Sequence, residues 1–419
     1  MTKLSLIGAG SSYTPELIDG LIAHFDRLPF SEVRLQDIDA DRLSTLTGLT
    51  ERMLARSGLP VKVSSTTDRR SALEGADFVN CLIRVGGMAA RILDERIPLN
   101  HGLIGQETTG PGGMMKALRT IPVMLDLAAD IAEVCPRAWL INYTNPSGII
   151  AQALGTYGRA RFVGLCSGPE GWSAAILRAM GVNPARATVD WMGLNHLGFA
   201  TRVWVDGEDA TGRAIEAVAG DWALDGDLIR TLGVIPAGYL QYYYRHDELV
   251  AAARRPDYRT RGEQVSEIER ALLHAYADPA LDEKPALLRE RGGGGYAEVA
   301  FAAMIAIATN SGSRQIIQVP NQGALDDLPA HASVEVPCLV DQTGPHPLRM
   351  GAIPLPVRGL VQAVKAYETL TVEAAVQQSK QIALQALLAH PLAPDWKVAR
   401  ALLDELLAAN QAWIPWVAA

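Results

Sequence analysis

Cysteine is scarce in this chain, basic residues are outnumbered, and no apolar run is long. The four cysteines, Cys81, Cys135, Cys166 and Cys338, stand too far apart to read as a disulfide framework or a zinc ribbon. Lys and Arg number 38 against 46 Asp and Glu, a formal net charge of -8 that no long basic stretch interrupts. Nucleic acid is therefore not an expected partner. No uninterrupted apolar stretch is long enough to span a bilayer, so no membrane partner is expected either. The opening "MTKLSLIGAGSS" has neither the apolar region nor the small-residue cleavage site of a signal peptide, and the expectation is a cytoplasmic protein. Overall acidity does not exclude an anionic substrate, because one pocket can be locally basic.

What is present is a strand–helix rhythm. "KLSLIGAGSSYTPELIDGLIAHF" reads as a buried strand, a Gly-rich turn and a helix with Leu17, Ile18, Leu21 and Ile22 at helical spacing. "EVRLQDIDADRLSTLTGLTERML" repeats the pattern and puts Asp37 where its strand ends. "ADFVNCLIRVGG" and "AWLINYTNPSG" are strands running into glycine turns, "RTIPVMLDLAADIAEVCP" is an amphipathic helix, and "ARFVGLC" is one more parallel strand. This alternation predicts an α/β fold, a Rossmann-like doubly wound parallel sheet, over residues 1–165. Beyond it, "RATVDWMGLNHLGFATRVWVDG" reads as an antiparallel pair, "SRQIIQVPNQG" and "ASVEVPCLVD" as strands, and the tail from residue 355 as helical. A second, mixed α+β domain over 166–419 is expected, sharing an interface with the first.

The first turn carries chemistry. Gly8 and Gly10 follow a strand and precede a helix, where backbone N–H groups can hold a pyrophosphate. Asp37 lies roughly 20 or more residues onward, the range for an acid that binds a ribose hydroxyl, and it favours NAD over a 2′-phosphorylated cofactor. Tyr13 occupies the place of the third glycine in G-x-G-x-x-G. Ser11 and Arg84 complete the candidate cofactor-binding set with Gly8, Gly10 and Asp37. On local pattern alone Cys166 reads as a small buried hydrophobe and His196 as a structural histidine.

The motifs "GQETTGPGG", "INYTNPSG", "GLCSGPEG", "GLNHLGF", "IPAGYLQYYYRHDEL", "RGGGGYAEVA" and "HPLAPDWKVARALLDELLAAN" resemble, in this order, those of glycoside hydrolase family 4. Within that family the chain is most similar to the 6-phospho-β-glucosidases. The resemblance implies an NAD- and divalent-metal-dependent hydrolase of phosphorylated sugars, with manganese the usual metal and Cys166 and His196 its protein ligands. It also implies a homodimer or homotetramer, and a second domain that carries the metal, substrate and oligomer contacts. In the implied reaction a hydride leaves C3 of the sugar for NAD, the resulting ketone acidifies the C2 proton, and a tyrosine removes that proton. The C1 group then departs, water adds, and the hydride returns.

Tyr239 matches the family's base, and Glu107 in "GQET" the acid that raises its basicity. Arg91 and Asn145 fall on substrate-binding positions; Arg261 and Arg291 are weaker phosphate or substrate candidates. Without the family, Arg91 reads as a solvated helix face, Asn145 as a turn cap, and Tyr242, Tyr243 and Tyr244 as a half-buried aromatic edge. Ser167 departs from the family, standing where the α-acting branch has an acid and the β-acting branch asparagine. Leaving-group protonation is left to water or Glu170. The alternatives are a family 4 enzyme of other specificity (α-glucosidase, galactosidase or uronidase), a lactate/malate-like NAD-dependent dehydrogenase, and a nucleotide-sensing protein with a retired active site.

Overall fold

The first 165 residues form six strands: β1 (Thr2–Ile7), β2 (Phe30–Gln36), β3 (Lys62–Thr66), β4 (Phe78–Cys81), β5 (Trp139–Asn142) and β6 (Arg161–Gly164). Five come from the predicted apolar runs and β3 from the unpredicted polar segment "KVSST". All pair in parallel, in the order β3-β2-β1-β4-β5-β6. β4 and β5 are buried along their whole length, as strands covered by helices on both faces must be. These features come from a computed structural model that describes residues 2–292, 294–392, 395–414 and 416. Gly293 of "RGGGG" and Ala393–Pro394 of "HPLAPDWK" lie outside the described residues.

The second part contributes β7 (Ala187–Leu194), β8 (Leu197–Val205), β9 (Glu208–Asp209), β10 (Ile235–Pro236), β11 (Ser313–Pro320), β12 (Ser333–Asp341) and β13 (Gly344–Pro347). β7, β8, β9 and β10 form a small antiparallel sheet around the hairpin predicted from "GLNHLGF". β11, β12 and β13 instead extend the main sheet, making it nine-stranded. The join is antiparallel and rests on Gln318 opposite Gly164, where a Cβ on the glycine would lie 2.9 Å from the Gln318 side chain. The expected boundary at 165–166 thus falls just after β6, while the sheet itself runs across it. Three helices, Leu355–Gln377, Lys380–Ala389 and Trp396–Asn410, form the tail.

One helix is longer than the sequence pattern predicts. It runs from Gly110 to Val134 and takes "GPGGMMKAL" into its first turns. A Cβ on Gly112 would meet Gln106 O at 2.4 Å and Asp94 O at 2.7 Å, and one on Gly113 the Thr108 backbone at 2.6 Å. These glycines serve close approach of the loop that carries Glu107, so they do not end the helix. Its first twelve residues, Gly110–Ile121, are all buried, Lys116 and Arg119 included.

Candidate active site

The carboxyl ends of β1, β2 and β4 open onto a cavity of about 1060 Å³, the position expected for a ligand in a parallel sheet. At one end lies the glycine turn. Gly8 has φ +84°, and a Cβ there would sit 2.9 Å from the Leu82 carbonyl. Gly10 donates its N–H to Asp37 Oδ2 at 2.8 Å, and Asp39 N–H reaches Asp37 Oδ1 at 3.0 Å. The carboxylate is thereby fixed at the end of β2 with lone pairs still available. Gly8, Gly10, Ser11, Asp37 and Arg84 all line the cavity.

At the other end a carboxylate is surrounded by cations. Glu107 Oε1 lies 2.9 Å from Arg91 Nη1, and Oε2 lies 2.7 Å from Lys116 Nζ and is also bonded by Arg84 Nη1. Burial alone would raise the Glu107 carboxyl; Arg84, Lys116 and Arg91 outweigh it and hold it well below the usual carboxylate range. Burial and the Arg84 guanidinium draw the Lys116 ammonium down to about 7, against the opposing pull of Glu107. Arg91 spends Nε on Glu95 at 2.8 Å, and Glu95 in turn accepts from Gly262 N at 2.6 Å. Arg91 is therefore buried among carboxylates and is not a solvated helix face.

His196 stands in the two-residue turn between β7 and β8, with φ +64°, uncommon for a residue with a side chain. The flanking glycines are forced by that turn: a Cβ on Gly193 would lie 2.4 Å from Leu197 O, and one on Gly198 2.5 Å from Trp191 Nε1. Thr108 Oγ1 meets His196 Nδ1 at 2.7 Å, which turns Nε2 toward other partners. Burial draws the imidazole down to about 4, so it is neutral near pH 7 and able to ligate. Its ring stacks on Tyr239, centroids 4.0 Å apart and planes at 26°. Burial first, then the Cys166 thiol, Tyr242 and Glu107, raise the Tyr239 phenol above its ordinary value, with Arg91 opposing.

Glu107, Arg91, Asn145, Arg261, His196 and Tyr239 line the same cavity as the glycine turn. Cys166 does not line it. It is half-buried, close enough to Tyr239 and Tyr296 of the cavity wall to influence both phenols, with its Sγ accepting from Gly168 N at 3.4 Å and hydrogen-bonded by the Asn195 side chain. Burial and the Glu335 carboxylate push its thiol up to about 12. Asn145 also caps its own turn, Oδ1 accepting from Ser147 N at 3.3 Å. Arg261 spends Nη2 on the carbonyls of Glu290 and Arg291, each at 2.9 Å. Glu170 is exposed and does not line the cavity. Tyr242, Tyr243 and Tyr244 are half-buried, as the aromatic-edge reading has it.

Lys116 and Thr108 escape sequence reasoning. The signal for Lys116 is a single lysine in the apolar first turns of a helix; for Thr108 it is the doubled threonine after Glu107. No cluster of three or more His, Cys, Asp or Glu side chains suited to a metal occurs among the described residues. Any cation held by Cys166 and His196 needs further ligands from elsewhere.

Comparison with known proteins follows the same outline. The chain matches the Family 4 glycosyl hydrolase over residues 3–182 and the Family 4 glycosyl hydrolase C-terminal domain over 191–393. A probable 6-phospho-beta-glucosidase of Bacillus subtilis (strain 168) is 41% identical, over 99% of this chain and 97% of its own length. A 6-phospho-beta-glucosidase of Escherichia coli (strain K12) is 36% identical, over 99% and 96%. The 6-phospho-beta glucosidase of Thermotoga maritima, solved with manganese, NAD+ and glucose-6-phosphate, superposes with a TM-score of 0.92 at 33% identity, covering 99% of both chains.

Proposed function

This chain belongs to family 4 of the glycosyl hydrolases, and on that premise we propose that it hydrolyses 6-phospho-β-glucosides with NAD and a divalent cation, manganese foremost. One observation carries the reading: a single cavity joins a glycine turn and fixed acid to a cation-ringed carboxylate and a stacked histidine–tyrosine pair. The names of the B. subtilis and E. coli relatives and the ligands of the T. maritima structure support it.

The residues present fit both groups. Gly8 and Gly10 stand where any side chain would collide with Leu82 or Asp37, keeping the turn open to a dinucleotide. Cys166 and His196 offer one thiol and one neutral imidazole, a set too small to saturate a cation and so suited to one that also takes sugar oxygens. When bound, NAD supplies a hydride acceptor and donor, and the cation a Lewis acid for charge on sugar oxygens.

The chain's own groups do the rest. Tyr239 takes the proton from C2 through its phenol oxygen. Burial first, and after it Cys166, Tyr242 and Glu107, make that phenol a stronger base, and a nearby cation would favour the phenolate. Arg91 and Arg261 face the 6-phosphate, and Asn145 a sugar hydroxyl. With Ser167 beside Cys166 and Glu170 off the cavity lining, water protonates the leaving group. In this reading residues 1–165 hold the cofactor and 166–419 the metal and much of the substrate, in a cytoplasmic homodimer or homotetramer. Among the described residues no helix is long and apolar enough to cross a membrane.

The test is release of 4-nitrophenol from its 6-phospho-β-glucoside under reducing conditions with NAD and Mn²⁺. Turnover that fails without the phosphate, without NAD, or on the α-anomer is expected. Indifference to the phosphate, or net accumulation of NADH, would contradict the proposal.

A further inference from the structure

The glycine turn looks like a phosphate cradle, yet its donors are already committed. Gly8 and Ala9 donate to Gln36 O at 2.9 and 2.8 Å, Gly10 to Asp37 Oδ2, Ser11 to Gly8 O at 3.0 Å, Tyr13 to Ser11 Oγ at 3.2 Å, and Thr14 to Ser11 O at 3.0 Å. Of the amides from Gly8 to Thr14, only that of Ser12 has no partner among the described residues. A doubly charged pyrophosphate at this turn therefore needs positive charge from elsewhere in the chain.

Arg291 supplies it from far along the sequence. Its guanidinium carbon lies 4.2 Å over the ring of Tyr13, the residue in the third-glycine place. Its side chain is 9% exposed, it lines the same cavity as Gly10 and Ser11, and its Nε is buried with no hydrogen-bond partner. Its nearest carboxylate oxygen, Glu269 Oε1, is 3.6 Å from Nη2 and is shared with Arg42 at 3.3 Å and Ser12 Oγ at 3.1 Å. Two guanidinium groups thus share one carboxylate beside the turn. The chain around Arg291 is held in place as well. Arg261 bonds the Arg291 carbonyl at 2.9 Å, and Glu16 Oε1 accepts from Gly295 N at 2.9 Å and Tyr296 N at 3.1 Å. Glu16 is thereby satisfied and does not compete for the guanidinium. An orphaned, buried donor in a preformed cavity is the feature a bound anion would complete.

We propose that Arg291, stacked on Tyr13, binds the pyrophosphate of the dinucleotide and so replaces the open helix N-terminus that the missing third glycine would have given. The inference rests on reading the cavity as a dinucleotide site. Arg291 belongs, on this view, to the cofactor and not to the phosphate of the sugar.

Calorimetric titration of wild-type protein, Arg291→Met and Arg291→Lys in metal-free buffer tests this with NAD+, ADP-ribose, adenosine and glucose 6-phosphate as probes. Arg291→Met is expected to weaken NAD+ and ADP-ribose by roughly 10- to 100-fold, with adenosine and glucose 6-phosphate unchanged and Arg291→Lys in between. Unchanged ADP-ribose affinity, an equal loss for adenosine, or a loss confined to glucose 6-phosphate would each overturn it. Failure of wild-type protein to bind ADP-ribose would instead remove the dinucleotide reading itself.

Discussion

His196 shows how a single residue can be legible in type and hidden in state. A histidine between "GLN" and "LGF" draws the eye because it interrupts an apolar hairpin, but its left-handed backbone and its stack on Tyr239 appear only in three dimensions. A non-glycine residue held there costs of order 1–3 kcal/mol, which the surrounding turn must supply. Thr108 fixes the ring through Nδ1. Thr108→Val is expected to leave the fold intact and to weaken Mn²⁺ binding roughly 10- to 100-fold, as loss of an orienting partner does; titration by electron paramagnetic resonance would show it, and unchanged affinity would detach Thr108 from the metal. Tyr239→Phe removes the proposed base and keeps the stack. Turnover should fall by roughly 10²–10⁴-fold with NAD affinity unaltered, measured by steady-state kinetics beside calorimetry. Lys116 stayed hidden because a helical lysine ordinarily reaches solvent, and nothing in "GGMMKALRTIP" says that this helix starts buried on every side.

At the scale of elements, strands were more legible than the roles of glycines. Five of the six parallel strands follow from apolar runs, and β7 and β8 from alternation about "NH"; β3, the half-exposed edge strand "KVSST", has no apolar run to announce it. The glycines of "GPGG" look like a loop in sequence and are helix in space, because the contact that demands them comes from Gln106 and Thr108 folding back on the helix. β2, one strand in from the parallel edge, offers a test of pH dependence. Burial would raise the Glu32 carboxyl on β2, but Arg34, Lys3 and Ser64 outweigh it and hold it down to about 2. A depressed folded value means stability that is present above the unfolded carboxylate range and is lost as pH falls from about 4.5 through about 2. Glu32→Gln should therefore lower stability at neutral pH by at most ~3 kcal/mol and flatten the acid limb of a denaturation series between those values. An acid limb as steep as wild type would show that Glu32 does not carry it.

The whole molecule depends on contacts that no local pattern reveals. β11, β12 and β13 join the main sheet across the expected domain boundary, because one edge strand, β6, lacks a parallel neighbour and Gly164 leaves room for Gln318. A buried ion pair ties the tail to the cavity: Arg119 holds Asp94 through two bonds of 3.0 and 2.6 Å, Asn410 Oδ1 at 2.7 Å and the Val85 carbonyl at 3.2 Å. Three helices and the turn that carries Arg84 meet there. Arg119→Met strands a buried carboxylate and should cost about 3–5 kcal/mol in chemical denaturation; a loss below about 1 kcal/mol would reduce the pair to a bystander. The site was legible in its residue types and family order, and not in the cation ring around Glu107 or the stack of His196 on Tyr239. On the proposed mechanism this cavity makes the sugar a carbon acid at C2. Hydrolysis of a 6-phospho-β-glucoside in deuterated water, followed by nuclear magnetic resonance of the glucose 6-phosphate released, tests it most directly. Deuterium at C2 is predicted; product that keeps its original hydrogen there would contradict it.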